Sequence, residues 1–137
     1  MNGPDPATTD RIIQGWINGR KAGDDFDFVS LYAYNGYYVD TACRFEANGR
    51  WDIGVMLRRH LKSADYDAVD PVAVTYTDDG ALVQWVWSGT YDGEPFTLEP
   101  TTTFEVEDGL IVASIDSYNL ADAPNHWSGD CALYPSP

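Results

Sequence analysis

Two aspartates stand within stretches of strand-like sequence, and either could carry proton-transfer chemistry. Asp40 lies in an aromatic and β-branched run at residues 37–42, where it alternates with Tyr38 on one face. If that face is buried, desolvation raises the pKa of the carboxyl group, which suits proton transfer near neutral pH. The alternation also permits Asp40 to point into solvent, and the pattern by itself favours that orientation.

Asp116 is the second candidate and shares one face of the last predicted strand with Ser114 and Tyr118. The opposite face carries Ile115 and Ser117, so both faces mix apolar and polar residues. The alternation therefore does not decide which face is buried. Facing inward, Asp116 would meet Ser114 and Tyr118 in a pocket; facing outward, it would be an ordinary surface acid.

Bulky aromatic residues alternate along the strands that precede Asp116. Such side chains either line an apolar pocket or simply fill the core, and the periodicity alone slightly favours the core. The residues that share the predicted inward faces are Val83, Trp85, Trp87, Phe96, Leu98, Pro100, Thr102, Phe104 and Val106.

The histidines and cysteines suggest no further chemistry. No spacing fits a metal site and there is no Gly-rich phosphate loop, so neither a metal nor a cofactor is expected. His60 lies on the apolar side of a predicted helix, which indicates a partly buried structural histidine. Cys43 and Cys131 are expected to stay reduced, because the N-terminus has no signal-peptide pattern. His126 lies in a segment that can fold over a pocket mouth.

The elements that must position these residues are helices in the front half and strands in the back half. Asp-Gly pairs between strand-like runs indicate hairpins, and three such turns in succession predict an antiparallel meander on an α+β fold. The predicted helices begin near Asp10, Asp24 and Trp51, and the predicted strands are 37–45, 69–77, 81–91, 95–107 and 110–120.

Length and composition restrict the class of protein. The 137 residues suit one domain over 1–137, with a core at about 10–122 and a tail at 123–137. The formal net charge of -14 argues against a nucleic acid or an anionic membrane as partner. No apolar run is long enough to span a membrane, and a cytoplasmic location is expected.

The charges are unevenly distributed along the chain. Every lysine and arginine lies at or before Lys62, whereas the segment after it contains aspartates and glutamates but no lysine or arginine. On this pattern, only Arg44, Arg58 or Arg59 is expected to reach Asp40. A pocket built mainly from the back half should therefore prefer a small hydrophobic molecule that is neutral or cationic.

Three segments carry a resemblance to a known family. They are IQGWINGRKAGD at 13–24, LYAYNGYYVDT at 31–41 and FEVEDGLIVASIDSYN at 104–119. Over about residues 10–122 the chain resembles the SnoaL-like and ketosteroid-isomerase-like branch of the nuclear-transport-factor-2 superfamily. The resemblance implies a cone of curved antiparallel sheet closed by three helices, with a deep apolar pocket, and it implies a homodimer.

The resemblance also assigns roles to individual residues. Asp40 stands where ketosteroid isomerases keep their general base, but Trp16 and Thr102 stand where those enzymes keep their oxyanion donors. Steroid isomerisation itself is therefore not expected. Asp116 stands where limonene-epoxide-hydrolase-like members hold a catalytic aspartate, and Tyr38 and Asp40 stand at their water-positioning residues. The arginine of that group has no counterpart on the strand at 81–91.

Residues and resemblance together predict a cofactor-independent cyclase, isomerase or dehydratase acting on a polyketide-, terpene- or steroid-like molecule. Asp40 would accept a proton, Asp116 would serve as acid or hydrogen-bond donor, and Tyr38 would orient the substrate. Two alternatives stay open: an epoxide-hydrolase-like enzyme with altered catalytic residues, and a non-catalytic ligand-binding or dimerisation module. The expected substrate-binding residues are Trp16, Trp85, Trp87, Thr102, Phe104, Ser114 and Tyr118.

Overall fold

A computed structural model describes residues 4–124, 127 and 131 of the chain and confirms an α+β fold. Three helices pack against one curved seven-stranded sheet that does not close on itself. In chain order the elements are α1 (Pro6–Ala22), α2 (Asp25–Val29), β1 (Tyr32–Asp40), β2 (Phe45–Asn48), α3 (Gly49–Leu61), β3 (Ala64–Tyr76), β4 (Gly80–Tyr91), β5 (Glu94–Leu98), β6 (Thr101–Glu107) and β7 (Leu110–Ser117), followed by a 3₁₀ turn at Leu120–Asp122.

Helix α1 starts earlier than predicted because Asp5 caps it. The Asp5 carboxylate accepts a hydrogen bond from the Ala7 N–H at 3.1 Å, and the helix ends on Gly23, whose left-handed φ of 70° suits glycine. Its apolar stripe is buried against the sheet and includes Ile13 and Trp16. One residue of that stripe, Arg20, is charged.

The sheet is mixed, which corrects the prediction of a purely antiparallel one. The strand order is β2-β1-β7-β6-β4-β3, with β5 also paired to β4. All pairs are antiparallel except β1 with β7, which run parallel. The Asp-Gly turns specify only pairs of successive strands. β1 reaches β7 through a long connection that contains α3, and such crossovers permit parallel pairing.

Two predicted strands are each divided by a break. The strand expected at 95–107 is interrupted at Pro100, which has no N–H to donate; its carbonyl instead accepts from the Trp85 N–H at 3.1 Å. The strand expected at 37–45 ends at Asp40, and Arg44 adopts a φ of 60° before β2 begins. These breaks produce β2 and β5, which periodicity alone did not separate.

The register of the central strands lines up the candidate residues in rows. Asp116 on β7 lies opposite Asp40 on β1 and Thr102 on β6. In the next row, Ser114 lies between Tyr38 and Phe104 in the same way. The inner face of the sheet therefore carries two carboxylates on adjacent strands.

A register shift in β7 settles which of its faces is buried. Ile111 pairs with Val106, whereas Ala113 already pairs with Glu105, so one extra residue is accommodated between them. Ile111 thus packs into the core at one end of the strand, and Ser114 and Asp116 face the core at the other. Simple alternation could not place an odd-numbered and an even-numbered residue on one face.

The periphery of the fold bears on two further expectations. No helix in the described part of the chain is long and apolar enough to cross a membrane. On the edge strand β3, Val72, Val74 and Tyr76 are exposed. The expected homodimer stays a prediction.

The contact between β3 and β4 provides a test of the fold. A Cβ added at Gly89 would lie 1.9 Å from the Asp65 carbonyl oxygen, so Gly89→Ala should lower the free energy of unfolding by about 3 kcal/mol. Gly93→Ala is the matched control, because a Cβ there meets nothing within 4 Å; only its left-handed backbone should cost about 1 kcal/mol. Urea denaturation measures both. Equal losses would contradict this close approach of the two strands.

A candidate active site around two buried aspartates

Asp116 is the centre of a buried hydrogen-bond network on the inner face of the sheet. Its side chain is 1% exposed. One carboxylate oxygen accepts from the Thr102 hydroxyl at 2.6 Å and the other accepts from the Tyr38 hydroxyl. The Trp85 indole N–H donates to Thr102 at 2.8 Å. Three neighbouring strands thus hold Asp116, Tyr38 and Thr102 in one connected group, as their register requires.

Arg20 places a positive charge beside this group. It lies in the last turn of α1, is 2% exposed, and its Nη2 donates to the Tyr38 hydroxyl at 2.9 Å. The same nitrogen is 3.9 Å from Asp116 Oδ2. The sequence-based expectation that only Arg44, Arg58 or Arg59 could supply a cation is therefore wrong. The buried guanidinium comes from α1. It comes neither from the loop between β1 and β2, which holds Arg44, nor from α3, which holds Arg58 and Arg59.

Aromatic rings surround the guanidinium in place of water. Ring faces within cation–π range compensate part of the lost hydration of a buried cation. The Arg20 Nε has no hydrogen-bond partner among the described residues, so this compensation is incomplete. The distances from the guanidinium carbon to ring centroids are 4.4 Å for Trp16, 5.1 Å for Trp87, 5.3 Å for Phe28, 5.4 Å for Trp85 and 5.7 Å for Tyr38.

Burial and charge act in opposite directions on Asp116. Desolvation raises the pKa of its carboxyl group to about 7, while the guanidinium of Arg20 opposes the rise. A carboxyl group with a pKa near neutrality exchanges its proton readily at physiological pH. Asp116 can therefore act as donor or acceptor towards Tyr38.

Asp40 lies on the same inner face, 6% exposed. Its carboxylate accepts from the Cys43 backbone N–H and from the Tyr118 hydroxyl, both at 2.8 Å. Desolvation raises the pKa of Asp40, opposed by these two hydrogen bonds and by the charge of Arg20. Burial and the Asp40 charge raise the pKa of Tyr118. Tyr118 therefore stays protonated and donates to Asp40.

The remaining predicted site residues have packing roles or belong to a neighbouring pair. Ser114 lies 2.6 Å from the Tyr32 hydroxyl, which also accepts from the Trp16 indole N–H at 3.0 Å. Trp87 and Phe104 are buried in the core, with the ring of Phe104 edge-on to Trp16 at 5.2 Å. Ser114 therefore lies in the row of the sheet next to the two carboxylates, and Trp16 is linked to it through Tyr32.

His60 is buried and neutral, in line with the structural role indicated by the sequence. Its Nδ1 is 2.6 Å from the Tyr66 hydroxyl, whereas Nε2 has no partner among the described residues. Burial, with a smaller effect from Arg20, lowers the pKa of His60 to about 3. No group of three or more His, Cys, Asp or Glu in the described chain is arranged to hold a metal ion.

The space beside Asp40 is nearly full. A cavity of about 20 Å³ remains there, with Arg20, Tyr38 and His60 among the residues that line it. Trp127, from the segment after the last strand, also lines this cavity and is 3% exposed. At this position the described residues therefore leave little of the deep open pocket that the resemblance implies. His126 lies outside the described residues.

The two cysteines form a disulfide, which corrects the expectation of free thiols. Cys43 and Cys131 are bonded, with their Cα atoms 5.1 Å apart. The expectation rested on compartment alone, whereas the fold brings Cys43, in the turn after β1, and Cys131 together.

Sequence reasoning missed Arg20, Tyr32 and Trp127. Arg20 follows Trp16 by four residues, so it falls on the buried stripe of α1, and this spacing could have identified it. Tyr32 is the first residue of β1, which starts before the strand predicted from residue 37. The segment that holds His126 and Trp127 was expected to fold over a pocket mouth, but no pattern singled out the Trp127 ring.

Comparison with known proteins relates the sequence and the fold of this chain to a known family. Residues 13–114 match the family of SnoaL-like domains. No curated protein matches the sequence significantly. Similar folds occur in a protein with a ketosteroid-isomerase-like fold from Catenulispora acidiphila, in complex with trimethylamine (TM-score 0.78, 22% identity, 90% of this chain and 93% of that one), and in an epoxide hydrolase of the LEH-like type from M. tuberculosis (0.75, 16%, 87% and 88%).

Replacing Asp116 by Asn tests the ionisation of the central carboxyl group. Because its pKa is raised in the folded protein, its contribution to the free energy of unfolding falls as pH rises from 3.8 towards about 7. The difference in this free energy between wild type and Asp116→Asn should fall by about 1 kcal/mol per pH unit over that range. Urea denaturation at closely spaced pH values measures it.

Asp40 and His60 titrate in both proteins, so their contributions cancel in this difference. A difference that stays flat would contradict the raised pKa and would mean that Arg20 keeps Asp116 ionised throughout.

Proposed function

Because the chain belongs to the SnoaL-like domain family, we propose that it is a cofactor-independent enzyme that moves protons on a small hydrophobic molecule. The reaction class is ring closure, isomerisation or dehydration of a cyclic polyketide-, terpene- or steroid-like compound. In a substrate that carries a carbonyl group, each of the three can begin with removal of a proton from the carbon next to it.

The observation that carries the proposal is the position of Asp40. Its carboxylate is 6% exposed, borders an apolar cavity, and has a raised pKa. A base with these properties can abstract a proton near neutral pH and return it from the protonated form. Its hydrogen bonds from Cys43 and Tyr118 fix the carboxylate in place.

Tyr38 is the candidate for stabilising the negative charge that develops on the substrate oxygen. It lines the same cavity as Asp40, and its hydroxyl contacts both Arg20 and Asp116. When Asp116 is protonated, it can donate to the Tyr38 oxygen while Tyr38 donates to the substrate. A preorganised donor backed by a buried cation favours the oxyanion over the neutral ketone.

Epoxide opening is a second candidate, because Arg20 supplies a guanidinium beside Asp116. The expectation that strand β4 lacks the arginine holds for that strand, yet α1 delivers the same group to Asp116. This chemistry also needs a water molecule between Tyr38 and the carboxylate. Here the Tyr38 hydroxyl donates directly to Asp116, so proton transfer by Asp40 is the better supported reaction.

Deuterium exchange on a simple ketone tests proton abstraction without knowledge of the natural substrate. In D₂O containing dithiothreitol, the wild-type protein should exchange the protons next to the carbonyl of 1-tetralone, as followed by NMR. Asp40→Asn should lower the rate about 10²–10⁴-fold, because the amide cannot accept the proton. Asp78→Asn, in an exposed turn, is the matched control and should keep the wild-type rate.

The outcomes separate the alternatives. Undiminished exchange by Asp40→Asn would refute the role of this carboxylate. Binding of 1-tetralone without exchange would favour a ligand-binding module. Conversion of styrene oxide to its diol, lost in Asp116→Asn but not in Asp40→Asn, would favour epoxide hydrolysis.

A further inference from the structure

Trp127 lines the cavity beside Asp40 and is enclosed by aromatic rings. It belongs to the segment after β7, yet it is only 3% exposed, among aromatic residues of the sheet and of α3. Ring centroids lie 4.5 Å away for His60, 4.9 Å for Trp87, 5.0 Å for Tyr91 and 5.1 Å for Phe96. The space between these rings therefore suits a flat, apolar, bicyclic group, which the rings contact on several sides.

The N–H of the Trp127 indole is linked to the candidate base, Asp40, through one hydroxyl group. Its Nε1–H donates to the Tyr118 hydroxyl at 3.0 Å, and Tyr118 in turn donates to Asp40 at 2.8 Å. The indole ring thus combines apolar faces with one donor directed at the reactive end of the pocket. Ligand sites commonly have this composition, an apolar enclosure with few polar groups.

The disulfide fixes this occupant to the site. Cys131, four positions after Trp127, is bonded to Cys43, and the Cys43 backbone N–H donates to Asp40. Cys43 also lines the same cavity. The covalent bond therefore holds Cys131 next to the turn that donates to Asp40.

We propose that the Trp127 indole holds the ligand position and that the Cys43–Cys131 disulfide keeps it there, so that reduction opens the site to a planar bicyclic aromatic ligand with one hydrogen-bond donor. This inference rests on the proposed function only in taking the cavity beside Asp40 as the ligand site. Arg20, which lines the cavity, disfavours a cationic ligand.

The opening step is thiol–disulfide exchange with a dithiol. One thiolate of the dithiol attacks a sulfur of the Cys43–Cys131 bond, and the other cysteine leaves as a thiolate that takes a proton. The second thiol of the reagent then displaces the bound cysteine and closes a cyclic disulfide. The dithiol loses two electrons, and Cys43 and Cys131 become thiols.

Replacing Trp127 by Ala tests the ligand class directly. Millimolar indole should raise the Tm of Trp127→Ala by several degrees, because it refills the vacated space. 1-Methylindole has the same ring system without the donor and should bind about 5–10-fold more weakly. Tetramethylammonium should give no shift. Trp51→Ala is the matched control, because Trp51 is 78% exposed, and indole should leave its Tm unchanged.

The redox arm uses the natural side chain and does not depend on the folding of Trp127→Ala. Isothermal titration with indole should show binding to wild type only after treatment with dithiothreitol. Cys131→Ser should bind indole without reductant, at least tenfold more tightly than the oxidised wild type.

Three results would overturn the proposal. They are a folded Trp127→Ala that gains no stability from indole, an oxidised wild type that binds indole as tightly as Cys131→Ser, and a preference for tetramethylammonium over indole. These readouts measure binding alone. If indole binds as expected but 1-tetralone is not deuterated, the proposed catalysis fails while the ligand site stands.

Discussion

The burial of one guanidinium against one carboxylate constrains the rest of this fold. Arg20 and Asp116 are 2% and 1% exposed, and each would be costly to bury alone. Their pairing requires the last turn of α1 to direct Arg20 towards β7, and Tyr38 and Thr102 each donate to one of the two carboxylate oxygens. The aromatic residues of the core then serve a second purpose, because their ring faces replace the water that the guanidinium has lost.

From this pair the polar interior extends in two layers. The inner layer joins Arg20, Asp116 and Tyr38 and is closed to solvent. The outer layer joins Asp40 and Tyr118 and ends on the indole of Trp127. Tyr38 lines the cavity of the outer layer while bonding to the inner one. A change in the protonation of Asp116 can therefore alter the hydrogen bonding of a molecule in the cavity through the Tyr38 hydroxyl.

Much of this arrangement could be predicted from the sequence, where the pattern was local. Periodicity identified α1, α3 and the buried face of β6, because helical and strand repeats depend on neighbours in the chain. It could not identify the parallel pairing of β1 with β7, which joins residues far apart in sequence. The family resemblance identified Asp40, Asp116 and Tyr38 as neighbours. Alternation alone left the orientation of Asp116 open, since a register shift changes the buried face of β7 midway.

The disulfide has a consequence for the unfolded chain. It closes a covalent ring over a sequence separation of 88 residues, which contains α3, strands β2 to β7 and Trp127. A ring of that size restricts the denatured ensemble and, on the chain-entropy account, favours the folded state by about 4–5 kcal/mol. Of the helices and strands in the described part of the chain, only α1, α2 and β1 lie outside it. If reduction opens the site, the reduced protein would also be the less stable one. The bond that stabilises the fold would then be the same bond that limits access to the carboxylates.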